Sequence, residues 1–388
     1  MTRKVRMGMV GGGEGSFIAS IHRMAARLDH RIELVAGCFS RQHQKSIQLG
    51  QQLGLNGARC YASYQQMFEA EAALPADERI EFVSIVTPNH MHFPIAKSAL
   101  LAGFHVLSDK PATTSLEQAI ELQQLVHQQQ LQYGLTHTYA AYPLVRQAKQ
   151  MIAQGQIGNI RRISVSYPQG WLADAVDTEA SAQASWRTDP ERSGESGCFA
   201  DIGTHAFHLL EYISGLQVTE IAAELVTQVE GRMLDDDGAA MLRLSHGAKA
   251  TLTASQVCTG LGNNLQICVY GDKASLSWQQ EQPNQLWVQR RGEPQQLWTA
   301  GADCDYLDAD AKALCRTPAG HPEGYIEAFA NLYRYFARLI RDKVPQDDGL
   351  SIDAAVRGMA FIRAALLSSQ NNAGWVSLEP SALQKKID

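Results

Sequence analysis

The sequence predicts an α/β protein: a doubly wound parallel sheet over residues 1–140, then an α+β domain with a large, mostly antiparallel open sheet over residues 141–388. Three observations carry this expectation. Short apolar runs alternate with helical patterns through the first third of the chain. A run of glycines occupies the first strand-to-helix junction. Beyond residue 140 strands follow one another closely and helices become rare.

The elements follow in order. Residues 5–10 are an apolar run of strand length, and residues 17–28 keep helical spacing. A strand at 32–39 and a helix at 44–53 come next, then a strand at 82–87 and a helix at 93–102. The strand at 104–108, the helix at 115–129 and the strand at 132–136 complete the series. Strands separated by helices pair in parallel, because each crossover returns the chain to the same end of the sheet. A helix at 143–154, stopped by Gly155, opens the second domain. Alternating apolar and polar residues then mark strands at 161–167, 219–230, 239–245, 248–256, 265–270, 274–278 and 285–289. The last expected helix is 323–341, where Ile326, Phe329, Leu332, Tyr333, Phe336 and Ile340 recur at helical spacing.

Composition narrows the function classes. A chain of 388 residues fits two domains with ample core. Its net charge of -6, with no basic run, excludes a broad nucleic-acid surface. The seven cysteines are odd in number and form no CxxC pair, so neither a disulfide scaffold nor structural zinc is expected. The apolar run near the N-terminus breaks at Gly8 and Gly11, and no stretch is long enough to span a bilayer. A reduced, cytoplasmic setting without membrane partners is expected, and no metal site.

The glycine run, Gly11-Gly12-Gly13-Glu14-Gly15-Ser16, follows the first strand and precedes a helix. There glycines let the backbone approach a pyrophosphate, while the helix N-terminus offers free N–H groups and partial positive charge. Gly11 and Gly13 fit the first two positions of a dinucleotide fingerprint. Ser16 stands where the third glycine belongs; alternatively Ala19 takes that role after a longer loop. At the end of the second strand, an acidic residue would bind the ribose 2′-hydroxyl of NAD. The chain instead has Ser40-Arg41, a hydroxyl and a guanidinium that suit a 2′-phosphate and tilt the expectation towards NADP. Arg41 stacking on adenine is the alternative, so NAD versus NADP stays open.

Two further stretches carry chemistry. The strand at 104–108 ends directly in Asp109-Lys110-Pro111, which brings an ammonium to the lip of the sheet, where α/β folds bind ligands. In the second domain, Asp201, His205, His208 and Tyr212 line one stripe of a helix closed by Gly215. A metal site, histidines satisfied by backbone carbonyls, and an acid–base pair compete there. The acid–base pair of Asp201 and His205 is preferred, because the glycine loop implies a redox cleft that needs a proton acceptor. Tyr167, Trp171, Trp186, Arg187 and His321 are candidate substrate contacts, since aromatic faces suit the C–H faces of sugars and Arg187 suits an anion. Glu323 is expected to cap the last helix.

In combination, the glycine loop, Thr87-Pro88-Asn89 with His92, Asp109-Lys110-Pro111 and Asp201-x-x-x-His205 closely resemble the glucose-fructose oxidoreductase/inositol dehydrogenase/MocA family. That family comprises NAD(P)-dependent sugar and cyclitol oxidoreductases, and the resemblance covers essentially the whole chain. It implies a Rossmann domain followed by a domain whose open sheet builds homodimers or homotetramers. It implies Lys110 as active-site lysine, Asp201 and His205 as acid–base dyad, and Thr87, Pro88, Asn89 and His92 along the cofactor cleft. Asp109 replaces the family's more usual glutamate, with a shorter arm towards the nicotinamide ribose. His208 stands where many relatives have aspartate, marking a different substrate contact. The leading activity is hydride transfer to or from a secondary hydroxyl of a sugar, sugar derivative or cyclitol, with either His205 or Lys110 as the base. The alternative is an oxidoreductive glycosidase that recycles NAD, including on an anionic sugar. A non-catalytic nucleotide sensor is disfavoured by the intact Lys110, Asp201 and His205.

Overall fold

The computed structural model describes residues 3–174, 187–344 and 348–384. One compact unit gathers Met1–Thr136 with Tyr325–Val356, and a second gathers His137–Gly324 with Arg357–Asp388. The helix Tyr325–Asp342 thus belongs with the first unit, which a single division of the chain near residue 140 does not provide for.

The first unit holds five parallel strands, β1 (Val5–Gly11), β2 (Ile32–Cys38), β3 (Phe82–Val86), β4 (His105–Ser108) and β5 (Tyr133–Leu135), in the order β2-β1-β3-β4-β5. Helices α1 (Phe17–Leu28), α2 (His43–Gln52), α3 (Tyr64–Ala72), α4 (His92–Leu101) and α5 (Leu116–Gln129) connect them. α3 was not foreseen; Ser63 starts it by accepting the Gln66 N–H, as Ser115 starts α5 by accepting that of Gln118. Winding changes direction at β1, with β2 on one side and β3 on the other, so the carboxyl end of β1 lies at a topological switch point.

Two apolar layers sandwich this sheet. Ile95, Leu100, Leu122 and Val126 of α4 and α5 pack with Val83, Ile85 and Val106. Ala19 and Ala25 of α1, with Phe329, Tyr333 and Phe336 of the Tyr325–Asp342 helix, pack with Met7, Met9, Phe82 and Leu107. Burying each such phenylalanine contributes about 2 kcal/mol.

One polar group sits inside the second layer. His22 of α1 is fully buried, and its Nδ1 lies 2.7 Å from the Tyr333 hydroxyl, itself 2.8 Å from Ser84 Oγ. Burial pushes the His22 imidazole down to about 4 from 6.5. Between those two values the unfolded chain binds the proton and the folded one does not, so stability falls as pH drops through that window. At pH 4 His22 is expected to account for about 3 kcal/mol of the stability lost relative to neutral pH. Urea unfolding of wild type and His22→Gln across this range checks it: the variant loses correspondingly less.

The second unit is built on nine strands in the order β13-β12-β11-β10-β6-β9-β8-β7-β14. They are β6 (Ile160–Pro168), β7 (Val218–Val226), β8 (Asp237–Leu244), β9 (Lys249–Ser255), β10 (Gln266–Gly271), β11 (Ala274–Gln279), β12 (Gln285–Arg290), β13 (Gln296–Thr299) and β14 (Val376–Ser377). Every neighbouring pair is antiparallel except β6 and β9, which run parallel from Arg162↔Lys249 to Pro168↔Ser255. β7 stops at Val226, short of the expected residue 230, because the Asp236 carboxylate captures the N–H groups of Gln228 and Val229 and turns the chain. Helix α6 (Pro143–Ala153) and helix α7 (Thr204–Ser214) pack against this unit's sheet. Strict alternation in β8 leaves its other side open, with Met241 exposed, as are Tyr270 and Leu297 further along the sheet. The unforeseen helix Ile352–Gln370 supplies Ser368 and Ser369, whose hydroxyls accept the Ala223 and Leu225 N–H groups of β7. Among the described residues no helix is long and apolar enough to cross a membrane.

Candidate active site

The glycine loop lies at the switch point. Gly11, Gly12 and Gly15 have φ of 89°, 76° and 79°, a region open to glycine and strained for side chains. A Cβ on Gly11 would come within 2.7 Å of Thr87 Cγ2 and Val86 O; on Gly12, within 2.4 Å of Ala19 Cβ; on Gly13, within 3.0 Å of Phe39 O. Ser16 is the N-cap residue of α1 and makes no side-chain cap bond, whereas the fully buried Ala19 provides the close packing beneath the loop. Arg23, which the motif gave no reason to select, donates to Gly12 O at 3.0 Å and fixes the turn. Glu14 and Gly15 are exposed. At the adjoining end of β3, Thr87 Oγ1 is buried with no hydrogen-bond partner among the described residues. A glycine cradle, an unused helix N-terminus and a buried hydroxyl awaiting an acceptor or donor together fit a dinucleotide. Ser40 Oγ accepts the Gln42 N–H at the start of α2, and Arg41 is exposed.

β4 carries Lys110 to the same edge of the sheet. The Asp109 N–H is tied to Ile85 O at 2.9 Å, and Asp109 Oδ1 accepts from the Lys110 N–H at 3.0 Å and from Thr136 Oγ1 at 2.8 Å. One oxygen of Asp109 is therefore engaged in holding the backbone that presents Lys110. His92 is buried with Nδ1 2.6 Å from Pro111 O and Nε2 2.8 Å from Thr87 O. It braces the Thr87-Pro88-Asn89 turn against Lys110-Pro111, whose peptide is cis. Pro88 is partly exposed and Asn89 buried.

In the second unit, the helical stripe is interrupted. Phe199–Gly203 forms a π-turn before α7 begins at Thr204, so Asp201 is offset from the even 100° spacing assumed for it. Asp235 fixes this start: its carboxylate accepts from the Gly197 and Phe199 N–H groups, both at 2.8 Å. Burial raises the Asp235 carboxyl above its ordinary range, against the lowering effect of those two N–H groups. Asp201 is partly exposed, accepts from Gln256 Nε2 at 2.9 Å and has its Oδ2 3.4 Å from Arg187 Nε. His205 is also partly exposed, and its ring stands edge-on to Tyr139, centroids 4.8 Å apart. Burial raises the Tyr139 phenol above its usual value; the Tyr167 and Asn263 hydrogen bonds oppose this and the Asp201 charge adds to it. Lower on the helix, His208 is buried, stacked on His137 at 3.7 Å and 7°, with Tyr212 beyond it at 5.6 Å. The expected open titratable stripe is therefore accessible only at Asp201 and His205; His208 and Tyr212 turn into the interior.

The structure brings Tyr167, Trp171, Arg187, Asp201 and His205 into one neighbourhood of this unit through direct or single-residue contacts. His321 is exposed in a turn, and its imidazole makes no hydrogen bond or ring contact with a described residue. Glu323 does not cap the following helix; it accepts the Thr317 N–H at 2.9 Å and pairs with Arg316 at 3.2 Å. Trp186 lies outside the described residues. Sequence reasoning missed Tyr139, Gln169, Gln256 and Asn263. Gln169 and Gln256 directly follow β6 and β9, the one parallel pair, so the rule that ligands gather at the carboxyl ends of parallel strands would have marked both. Among the described residues no group of three His, Cys, Asp or Glu side chains is placed to hold a metal ion.

Comparison with known proteins agrees with this construction. Residues 5–137 match the NAD-binding Rossmann fold of the oxidoreductase family, and residues 145–277 the GFO/IDH/MocA C-terminal domain. An uncharacterised oxidoreductase of Bacillus subtilis (strain 168) is 32% identical over 389 residues, covering 98% of each chain. An inositol dehydrogenase homolog from Azotobacter vinelandii, solved with NAD+, has a TM-score of 0.91 at 34% identity, covering 97% of this chain and 98% of its own. The same homolog solved with NADH and myo-inositol gives 0.89 at 34% identity, with the same coverage. The chain therefore belongs to the GFO/IDH/MocA family and is an NAD(P)-dependent oxidoreductase of that family, with a Rossmann nucleotide-binding unit.

Proposed function

We propose that the protein transfers a hydride between the nicotinamide and a secondary hydroxyl of a sugar, sugar derivative or cyclitol. The observation that carries this is that Asp201 and His205 are both partly exposed, four residues apart, with Arg187 joining Asp201 to the exposed Trp171, on a chain that carries a dinucleotide loop. The myo-inositol bound by the Azotobacter homolog supports the substrate class. Bound NAD(P) would supply the hydride acceptor. His205 takes the hydroxyl proton, and the Asp201 carboxylate favours the imidazolium that results. Lys110 Nζ donates to the same oxygen and stabilises negative charge developing there. In the alternative assignment Lys110 takes the proton and His205 donates to the oxygen. Trp171 and Arg187 contact the substrate; Tyr167 and His208, both buried, act from behind the surface.

The test is a panel of sugars, cyclitols and nitrophenyl glycosides with NAD+ and NADP+. Net change in nicotinamide absorbance supports a dehydrogenase. Aglycone release without net absorbance change replaces that reading with the cofactor-recycling glycosidase. Ser40 and Arg41 are proposed to face the adenosine ribose 2′ position. Arg41→Glu is then expected to lower kcat/KM for NADP+ about 10-fold or more, with a much smaller effect on NAD+; steady-state kinetics with both cofactors decide. The exposed apolar residues on the open sheet support a homo-oligomer, which sedimentation velocity checks.

A further inference from the structure

Trp171 combines two properties that rarely coincide. Its side chain is 39% exposed, yet its position is fixed from beneath. The indole N–H donates to Gln169 Oε1 at 3.0 Å, and Gln169 Nε2 donates to Asn263 Oδ1 at 2.7 Å. Tyr167 donates its hydroxyl hydrogen to the same Oδ1, while Asn263 Nδ2 donates to the Tyr139 hydroxyl at 3.2 Å. Tyr139 then donates to Tyr167. An indole N–H can only donate, so it forces the orientation of Gln169; that forces Asn263, and Asn263 forces both tyrosines. The bonds run in one consistent direction and close into a ring of Asn263, Tyr139 and Tyr167, and His205 is packed against the Tyr139 ring.

The backbone beneath Trp171 is equally constrained. The Gln169 N–H bonds Ser255 O at 2.7 Å, Gly170 N–H bonds Leu261 O at 3.0 Å and Leu172 N–H bonds Gln256 O at 3.1 Å. A Cβ on Gly170 would lie 2.5 Å from Cys258 O, so the two segments touch too closely for any other residue there. Gln169 is only 9% exposed. A large aromatic ring on a rigid base, left open to solvent, is a contact surface waiting for a flat apolar partner. The Arg187 guanidinium lies 5.8 Å from that ring and is offset in charge by Asp201. The Arg187 charge beside the ring is thus balanced by Asp201, which favours an uncharged ligand over an anion.

We propose that Trp171 is a platform for the C–H face of a neutral cyclic polyol, and that Gln169 is the positioning residue that holds it. This rests on the sugar or cyclitol reading and names its substrate class as uncharged. Asn263 extends the same support to Tyr139 and so sets the platform and the His205 ring in one frame.

Saturation-transfer NMR on the NAD+-loaded protein tests this with myo-inositol, methyl α-glucoside and glucuronate, alongside steady-state kinetics. Saturation is expected on one C–H face of the two neutral rings and weakly on glucuronate, and it is lost in Trp171→Ala. Gln169→Leu is expected to raise KM, or Kd from the titration, about 10-fold with kcat and NAD+ affinity within about 2-fold of wild type. Thermal unfolding verifies that each variant is folded. Trp171→Ala and Gln169→Leu binding and turning over polyols as wild type does would overturn the platform while leaving the dehydrogenase standing. Trp171-dependent saturation without any absorbance change supports the platform and removes the dehydrogenase. No saturation of any ring by the wild-type protein also overturns the proposal, as does stronger saturation of glucuronate than of the neutral rings.

Discussion

Lys110→Ala is expected to lower kcat on the order of 10³-fold while leaving the Kd for NAD+ within a few-fold of wild type. The reasoning starts from placement. Lys110 follows β4 directly, and its backbone is held by Asp109, itself fixed to Ile85 and Thr136, and by the His92 contact to Pro111 O. Such bracing serves a side chain that must be delivered accurately, since a catalytic group misplaced by an ångström loses most of its effect. Deleting the ammonium removes charge stabilisation that matters most as the alkoxide forms, so the loss falls on kcat more than on binding. Isothermal titration with NAD+ and steady-state kinetics on one preparation separate the two. Wild-type kcat in Lys110→Ala would remove Lys110 from the mechanism. Activity of that variant restored by added small amines would assign Lys110 as the proton carrier, and an unrestored one would leave the base to His205.

Gly12→Ala should weaken NAD+ binding about 100-fold or more, with a loss of a few kcal/mol in stability. Two costs combine. The φ of 76° is unfavourable for an alanine by about 1–2 kcal/mol. The added methyl would also sit 2.4 Å from Ala19 Cβ, which is fully buried and belongs to the first turn of α1. Relief requires the loop or the helix N-terminus to move, and the bond from Arg23 to Gly12 O opposes the first option. Helix displacement carries away the N–H groups that would meet a pyrophosphate. Fluorescence titration with NADH and thermal unfolding give the two numbers. The paired variant Gly12→Ala/Ala19→Gly is expected to recover part of the affinity, because it returns the missing space.

Much of the first unit was legible from local signals. The glycine run, the alternation of strands and helices, and Lys110 at a strand end are encoded within a few residues of one another. The stripe of Phe329, Tyr333 and Phe336 announced a helix but not the sheet it covers, because spacing reveals a face and says nothing of its distant partner. Strand direction was equally invisible: the alternation that marks β6 and β9 is the same for parallel and antiparallel neighbours, and so the significance of Gln169 and Gln256 was lost. The π-turn at Phe199–Gly203 has no compositional signature and displaced Asp201 from the stripe drawn through it. Tyr139 and Asn263 are neutral polar residues that acquire meaning only through partners far along the chain.

The helix Tyr325–Asp342 has a consequence for synthesis. The sheet it covers is complete in sequence by Leu135, yet the apolar face beneath Phe329, Tyr333 and Phe336 lacks this cover until residues 325–342 have left the ribosome. For that interval Met7, Met9, Phe82 and Leu107 have only α1 beside them, and the Tyr333 hydroxyl that would satisfy His22 and Ser84 is absent. Residues 1–136 expressed alone are therefore expected to bind a hydrophobic dye strongly and to aggregate, and adding the 325–356 segment should suppress both.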